Sequence, residues 1–175
     1  MLYIILGVLV VLGAVIGLVI FLKARKDEIN DYYNAAHSIL KENQLDEYLK
    51  NPYKSNKDNF RNTVKLMVFL KFKDKTKSKY VFELEKEVYI GRDKNSNEVW
   101  GNEPIVSGRH CRLITNGTNV YVQDIGSANG LEIKRGIFTY TLGSGETTEI
   151  FSNDTLKIGT TKIRVVIFSF NAALM

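Results

Sequence analysis

Hydrophobic and polar positions divide this chain of 175 residues into three parts. From Leu2 to Leu22 there is no charged residue and no polar face. About 20 apolar residues, rising 1.5 Å each, cross roughly 30 Å of hydrocarbon. A helix packed in a soluble core would keep a polar side. Residues 1–22 are therefore predicted to be a transmembrane anchor, with the membrane as the partner of residues 2–22. Between residues 27 and 50 the apolar positions Ile29, Tyr32, Tyr33, Ala36, Ile39 and Leu40 recur at helical spacing. Pro52 closes that stretch, and Asn51–Asn62, rich in Asn, Lys and Ser, has the composition of a solvated linker. Residues 23–62 are predicted to be a partly helical juxtamembrane tether.

From residue 63 the period shortens to that of strands. Apolar, β-prone runs occur at Val64–Phe72, Tyr80–Leu84, Val88–Ile90, Cys111–Ile114, Val120–Val122, Leu131–Ile133, Phe138–Leu142, Glu149–Phe151, Thr155–Ile158 and Ile163–Phe168. Turn signals separate them at Asn116-Gly117, Asn129-Gly130, Gly143-Ser144-Gly145 and Asn153-Asp154. Many short strands with glycine turns point to an all-β sandwich or barrel over 63–170, leaving 171–175 as a tail.

Charge orients the anchor. Lys23, Arg25 and Lys26 follow the apolar run directly, and basic flanks stay cytoplasmic. The expectation is a single-pass protein of the cell membrane with its C-terminal domain in the cytoplasm. A cleaved signal peptide, the alternative, would place basic residues before a shorter run. Gly13 and Gly17 have the small-xxx-small spacing that lets membrane helices approach, although glycine is common there anyway. The formal net charge of +5 is too mild to imply nucleic acid, and none is expected as a partner. The lysines at 71, 73, 75, 77 and 79 surround a predicted hairpin turn. A solvated turn is the plain reading, and anionic lipid the alternative. One cysteine, Cys111, permits no internal disulfide and fits a reducing compartment. Two histidines make no ordinary metal site, and no cofactor is expected.

Enzyme signatures are missing. The chain has no Gly-x-Gly-x-x-Gly, no Gly-Lys-Ser/Thr phosphate loop and no Gly-x-Ser-x-Gly elbow. His110 and Cys111 are adjacent, so on a strand they face opposite ways and cannot pair in catalysis. What remains is polar residues grouped at loops: Gly91-Arg92, Ser107-Gly108-Arg109-His110, and Asp124 to Gly130. A guanidinium, a hydroxyl and an amide on a rigid scaffold supply donors for an anion, and phosphate has several strong acceptor oxygens.

The order and spacing of Gly91-Arg92, Ser107-x-x-His110 and Asn129-Gly130 resemble the forkhead-associated (FHA) family of phosphothreonine-reading β-sandwiches. Leu142-Gly143-Ser144-Gly145-Glu146, Asn153-Asp154 and Ile158-Gly159 resemble its closing pattern. The resemblance implies a sandwich of about eleven strands. It implies that Arg92 and Ser107 contact the phosphate and that Asn129 holds the peptide main chain. His110 would brace the loops from beneath, with Gly91 and Gly130 permitting the turns. Gly108, Arg109 and Ala128 complete the implied phosphopeptide surface. Two positions depart from the family. Gly108 stands where a polar side chain is frequent, and Ala128 where threonine is. Arg109 would have to reach back, or the Gly108 amide would have to substitute.

The resemblance thus implies a membrane-tethered phosphothreonine-peptide binding module, an adaptor in Ser/Thr kinase signalling. Its partner would be a threonine-phosphorylated protein, such as a membrane, cell-wall or cell-division protein or the kinase itself, in a bacterial setting. The alternative is a structural adaptor that uses the same sandwich without phosphate.

Overall fold

The computed structural model describes residues 1–50, 64–73, 79–100 and 103–171. The expected linker Asn51–Asn62, residues 172–175 of the tail, and Lys75 and Lys77 of the lysine run lie outside the described residues. Two compact units, Met1–Ala35 and Ala36–Met175, are taken in turn.

Helix α1 runs from Leu2 to Lys50. The tether, predicted to be partly helical, continues the same helix without a break. The stretch Lys23–Asn30 has no glycine or proline to interrupt it and is rich in good helix formers. The last described residue of the helix is Lys50. In the first unit the apolar side chains are exposed all round the helix, with Leu9, Val10 and Phe21 each more than half exposed. Such a surface suits hydrocarbon, not water. The helix is long and apolar enough to cross a membrane.

The second unit is a sandwich of two sheets. Its strands are β1 (Val64–Phe72), β2 (Lys79–Glu83), β3 (Val88–Gly91), β4 (Val99–Trp100), β5 (Cys111–Thr115), β6 (Val120–Asp124), β7 (Leu131–Arg135), β8 (Phe138–Leu142), β9 (Thr147–Ile150), β10 (Thr155–Ile158) and β11 (Thr161–Asn171). A six-stranded sheet has the order β2-β1-β11-β10-β7-β8, and a five-stranded sheet the order β4-β3-β5-β6-β9. Pairing is antiparallel except between β3 and β4. The inward residues of both sheets make one core, including Leu70, Leu113, Val122, Leu131, Ile133, Leu156, Ile163 and Val165. Fully burying each such side chain stabilises the fold by about 1.5–3 kcal/mol.

Strand β1 departs from simple alternation. Met67, Val68, Phe69 and Leu70 are all buried. Val68 and Leu70 face the sandwich core. Met67 and Phe69 lie on the outer face, opposite Phe168 and Val166 of β11. The last turns of α1 belong to the same unit, and Ala36 and Leu40, four residues apart on one helical face, are buried too. A helical stripe and an outer sheet face of this kind close by packing as layers.

Candidate functional site

The loops singled out in the sequence meet at one end of the sandwich, where β3 ends and β5 begins, and where β6 ends and β7 begins. Backbone bonds join the first two. Arg92 N–H donates to Ser107 O at 3.0 Å and Asp93 N–H to Gly108 O at 3.1 Å. This approach requires glycine at 91, because a Cβ there would sit 2.3 Å from Gly108 O. Asn97, buried in the same loop, donates its side-chain amide to Asp93 O (2.6 Å) and Gly108 O (2.7 Å).

The third loop is fastened to the second by side chains. Ala128 N–H donates to Ser107 Oγ at 3.2 Å. Asn129 Nδ2 donates to Ile105 O at 3.2 Å. Beneath them His110 is fully buried. Its Nδ1 accepts from Ser107 N–H (3.4 Å) and its Nε2 faces Gly130 O (3.2 Å). A carbonyl can only accept, so Nε2 carries the proton and the ring is neutral. Burial pushes the His110 pKa below its ordinary value, against the opposing pull of Gly130 O and Asp124. Gly130 has φ +74°, a left-handed conformation that glycine adopts without strain. Buried Asp124 accepts from Gly126 N–H (3.0 Å) and Ser127 N–H (2.8 Å), and also pairs with the Ser127 hydroxyl, which fixes the turn into the third loop.

The structure therefore gathers Arg92, Ser107, Gly108, Ala128 and Asn129 into loops that are tied to each other directly. Arg92, Ala128 and Asn129 are exposed, and Ser107 and Gly108 are half-buried. Ser107 Oγ accepts one bond and still has its hydroxyl proton to donate. Arg109 is placed differently. Its guanidinium lies 4.2 Å over the Tyr89 ring, and its Nε donates to Ser96 O at 3.2 Å. It does not reach back toward Ser107 as the sequence left open. Gly108 lies open, with nothing within 4 Å of where a Cβ would stand.

Two residues that the motif reading missed also hold the site. Asn97 is one. The other is Glu103, which accepts from Thr160 N–H (3.0 Å) and pairs with the Thr161 hydroxyl. Burial alone would raise the Glu103 carboxyl pKa, but the bonds from Thr161 and Thr160 hold it below its ordinary value. Glu103 thus pins the loop that carries Ser107 to the β10–β11 turn. A polar residue between turn residues was the available signal, and it is a weak one. Cys111, fully buried, has its pKa pushed far up by burial and by Asp124, so it is an inert core thiol. Among the described residues no cluster of His, Cys, Asp and Glu could hold a metal ion.

Residues 88–159 match the FHA domain family. No curated protein matches the chain. Among solved structures, the FHA domain of a Chlamydia trachomatis protein is 19% identical, with TM-score 0.51, over 58% of this chain and 98% of that one. The FHA domain of a hypothetical Arabidopsis thaliana protein is 22% identical, with TM-score 0.52, over 62% of this chain and 89% of that one. At these identities the likeness concerns the fold. Sandwich topology and loop pairing agree with that match: the β-domain has the fold of FHA domains, and residues 88–159 within it match their family.

Proposed function

We propose that this chain is a membrane-anchored reader of phosphothreonine peptides that serves as an adaptor in Ser/Thr kinase signalling. FHA domains are protein-interaction modules that bind phosphothreonine peptides. The observation that carries the reading is the fastening of three loops through Arg92 to Ser107, Ser107 to Ala128 and Ile105 to Asn129. That fastening ties the backbones carrying Arg92, Ser107 and Asn129 to one another, which supports a site where a guanidinium, a hydroxyl and an amide act together. Charge-assisted hydrogen bonds from such a group suit a phosphate that carries nearly two charges. The apolar helix supports the anchor, and confinement at a membrane raises the effective concentration for partners held there. The test is titration of the full chain with paired threonine and phosphothreonine peptide libraries. A phosphopeptide that outcompetes its unmodified twin, and loses that advantage in Arg92→Ala and Ser107→Ala, supports the reader. Equal binding of both forms ends it.

A second reading is favoured by one feature, the absence of a long polar side chain at 108 while Arg109 is engaged with Tyr89 and Ser96. The domain would then hold an unphosphorylated partner as a structural adaptor. In that case Arg92→Ala and Ser107→Ala leave partner capture unchanged.

A further inference from the structure

The basic excess of the chain is not spread evenly over the β-domain. On the outer face of the six-stranded sheet, Lys71 of β1 lies directly opposite Lys79 of β2 on one side and Arg164 of β11 on the other. Lys157 of β10 lies opposite Lys162 of β11. Lys134 of β7 continues the first row beyond Thr155. Against these six cations the same rows hold one acidic residue, Glu132, bonded to Lys157 at 2.5 Å. The strands on the outer face of the five-stranded sheet carry one of each sign, Arg112 and Glu149.

Like charges directly opposite on neighbouring strands destabilise a sheet. Several of these cations have contacts within the domain, such as Arg164 Nη2 to Asn153 Oδ1 at 2.6 Å. Contact with a neutral amide leaves the net charge of the face intact. The geometry points to this cationic face as a docking surface for anionic phospholipid headgroups. The inference rests on the anchoring half of the function proposed above. The cationic rows lie at one end of this face, beyond the buried patch of Met67 and Phe69. Running across six strands about 4.8 Å apart, they form a broad band instead of a groove, which matches a bilayer surface. The side chains between the cations are the threonines at 139, 141 and 155. A single-stranded nucleic acid would want aromatic rings for its bases, and these rows have none. Anionic leaflets attract basic residues near the membrane, and the anchor holds this domain within reach of one.

The full chain, with Thr139→Cys carrying an environment-sensitive dye, is reconstituted into nanodiscs of phosphatidylcholine alone or mixed with phosphatidylglycerol. Thr139 is exposed on this face, and Cys111 is buried away from labelling. A quencher on the lipid headgroups reports contact. Docking predicts stronger quenching in the mixed discs, relieved by salt. In Lys134→Gln/Lys162→Gln, two exposed cations are removed outside the peptide loops. The docked-to-undocked ratio should then fall about thirtyfold, at about 1 kcal/mol per charge. Equal quenching in both discs, or no change in the double variant, overturns the inference while leaving the anchor standing. Failure of the chain to enter the discs overturns anchor and docking together. Loss of phosphothreonine-peptide binding in the double variant assigns the face to the peptide instead, and release of the dye from lipid by added RNA assigns it to nucleic acid.

Discussion

Gly108 is the residue on which the strength of the proposed phosphate site turns. It stands in open space, its backbone is not left-handed, and it neighbours Ser107. A Cβ there meets nothing within 4 Å, and an arginine built from it would add a guanidinium beside the hydroxyl. A charge-assisted hydrogen bond contributes about 1.5–3 kcal/mol, which is roughly a ten- to hundredfold change in affinity. Gly108→Arg should therefore tighten phosphothreonine-peptide binding by at least about tenfold in calorimetric titration. Unchanged or weaker affinity would place position 108 away from the phosphate. His110 sets the pH response. Its folded-state pKa is pushed below the ordinary 6.5, chiefly by burial. On acidification the unfolded chain takes up a proton before the folded one does. The stability it contributes is thus full above about pH 6.5 and declines as the pH falls through that value toward the folded-state pKa. Protonation also puts a hydrogen on Nδ1, which then faces Ser107 N–H instead of accepting from it. Denaturant melts between pH 7.5 and 5 should show this loss, and His110→Gln should flatten it. A profile as steep in the variant would move the titration elsewhere.

The elements were legible in the sequence to different depths. Alternation located the strands of the core because one face of each is buried and one is not, as in β5, β6 and β7. It did not locate β4, whose two residues pair in parallel with β3 and are too few to show a period. The reach of β11 to Asn171 was also hidden, because Phe168 and Phe170 belong to its outer face. The loop motifs named Arg92, Ser107 and Asn129. The fastenings by Asn97 and Glu103 span 11 and 57 residues of sequence and leave no local pattern. The far end of the sandwich holds a similar long-range tie. Arg135 of β7 donates to both oxygens of Asp154, at 3.0 and 2.8 Å, and to Glu149 O at 2.9 Å. It also lies 4.3 Å over the Phe151 ring. Asp154 is buried, whereas the Arg135 side chain is 37% exposed. Arg135→Met leaves a buried carboxylate without its cation. Fully buried pairs broken this way cost about 3–5 kcal/mol. Solvent reaches this arginine, so about 2 kcal/mol is the expected loss in chemical denaturation, with peptide affinity unchanged. A loss of affinity comparable to the loss of stability would mean that the two ends of the sandwich are not independent.

At the scale of the whole molecule, one helix begins with a stretch apolar enough to cross a membrane and ends inside the unit that holds the sandwich. The second unit starts at Ala36, inside α1 and not after it. Its outer sheet face carries Met67 and Phe69, both buried, where a two-layer sandwich would leave that side to water. Ala36 and Leu40 are the matching buried positions on the helix. These buried positions predict that the end of α1 serves as a third layer of the domain, and that the domain loses stability when Leu40 is spoiled. Leu40 is 5% exposed. Truncating a buried leucine costs about 2–5 kcal/mol, and an uncompensated charge in its place costs more. Leu40→Asp should lower the denaturation midpoint of the sandwich. It should also speed amide exchange in β1 and β11, around the buried patch of Met67 and Phe69, more than in β5 and β6 of the opposite sheet. If exchange in β1 and β11 is unmoved while the protein stays folded, the helix end is a tether lying beside the sandwich. If it rises as described, the last turns of α1 stabilise the sandwich through packed side chains as well as through the chain.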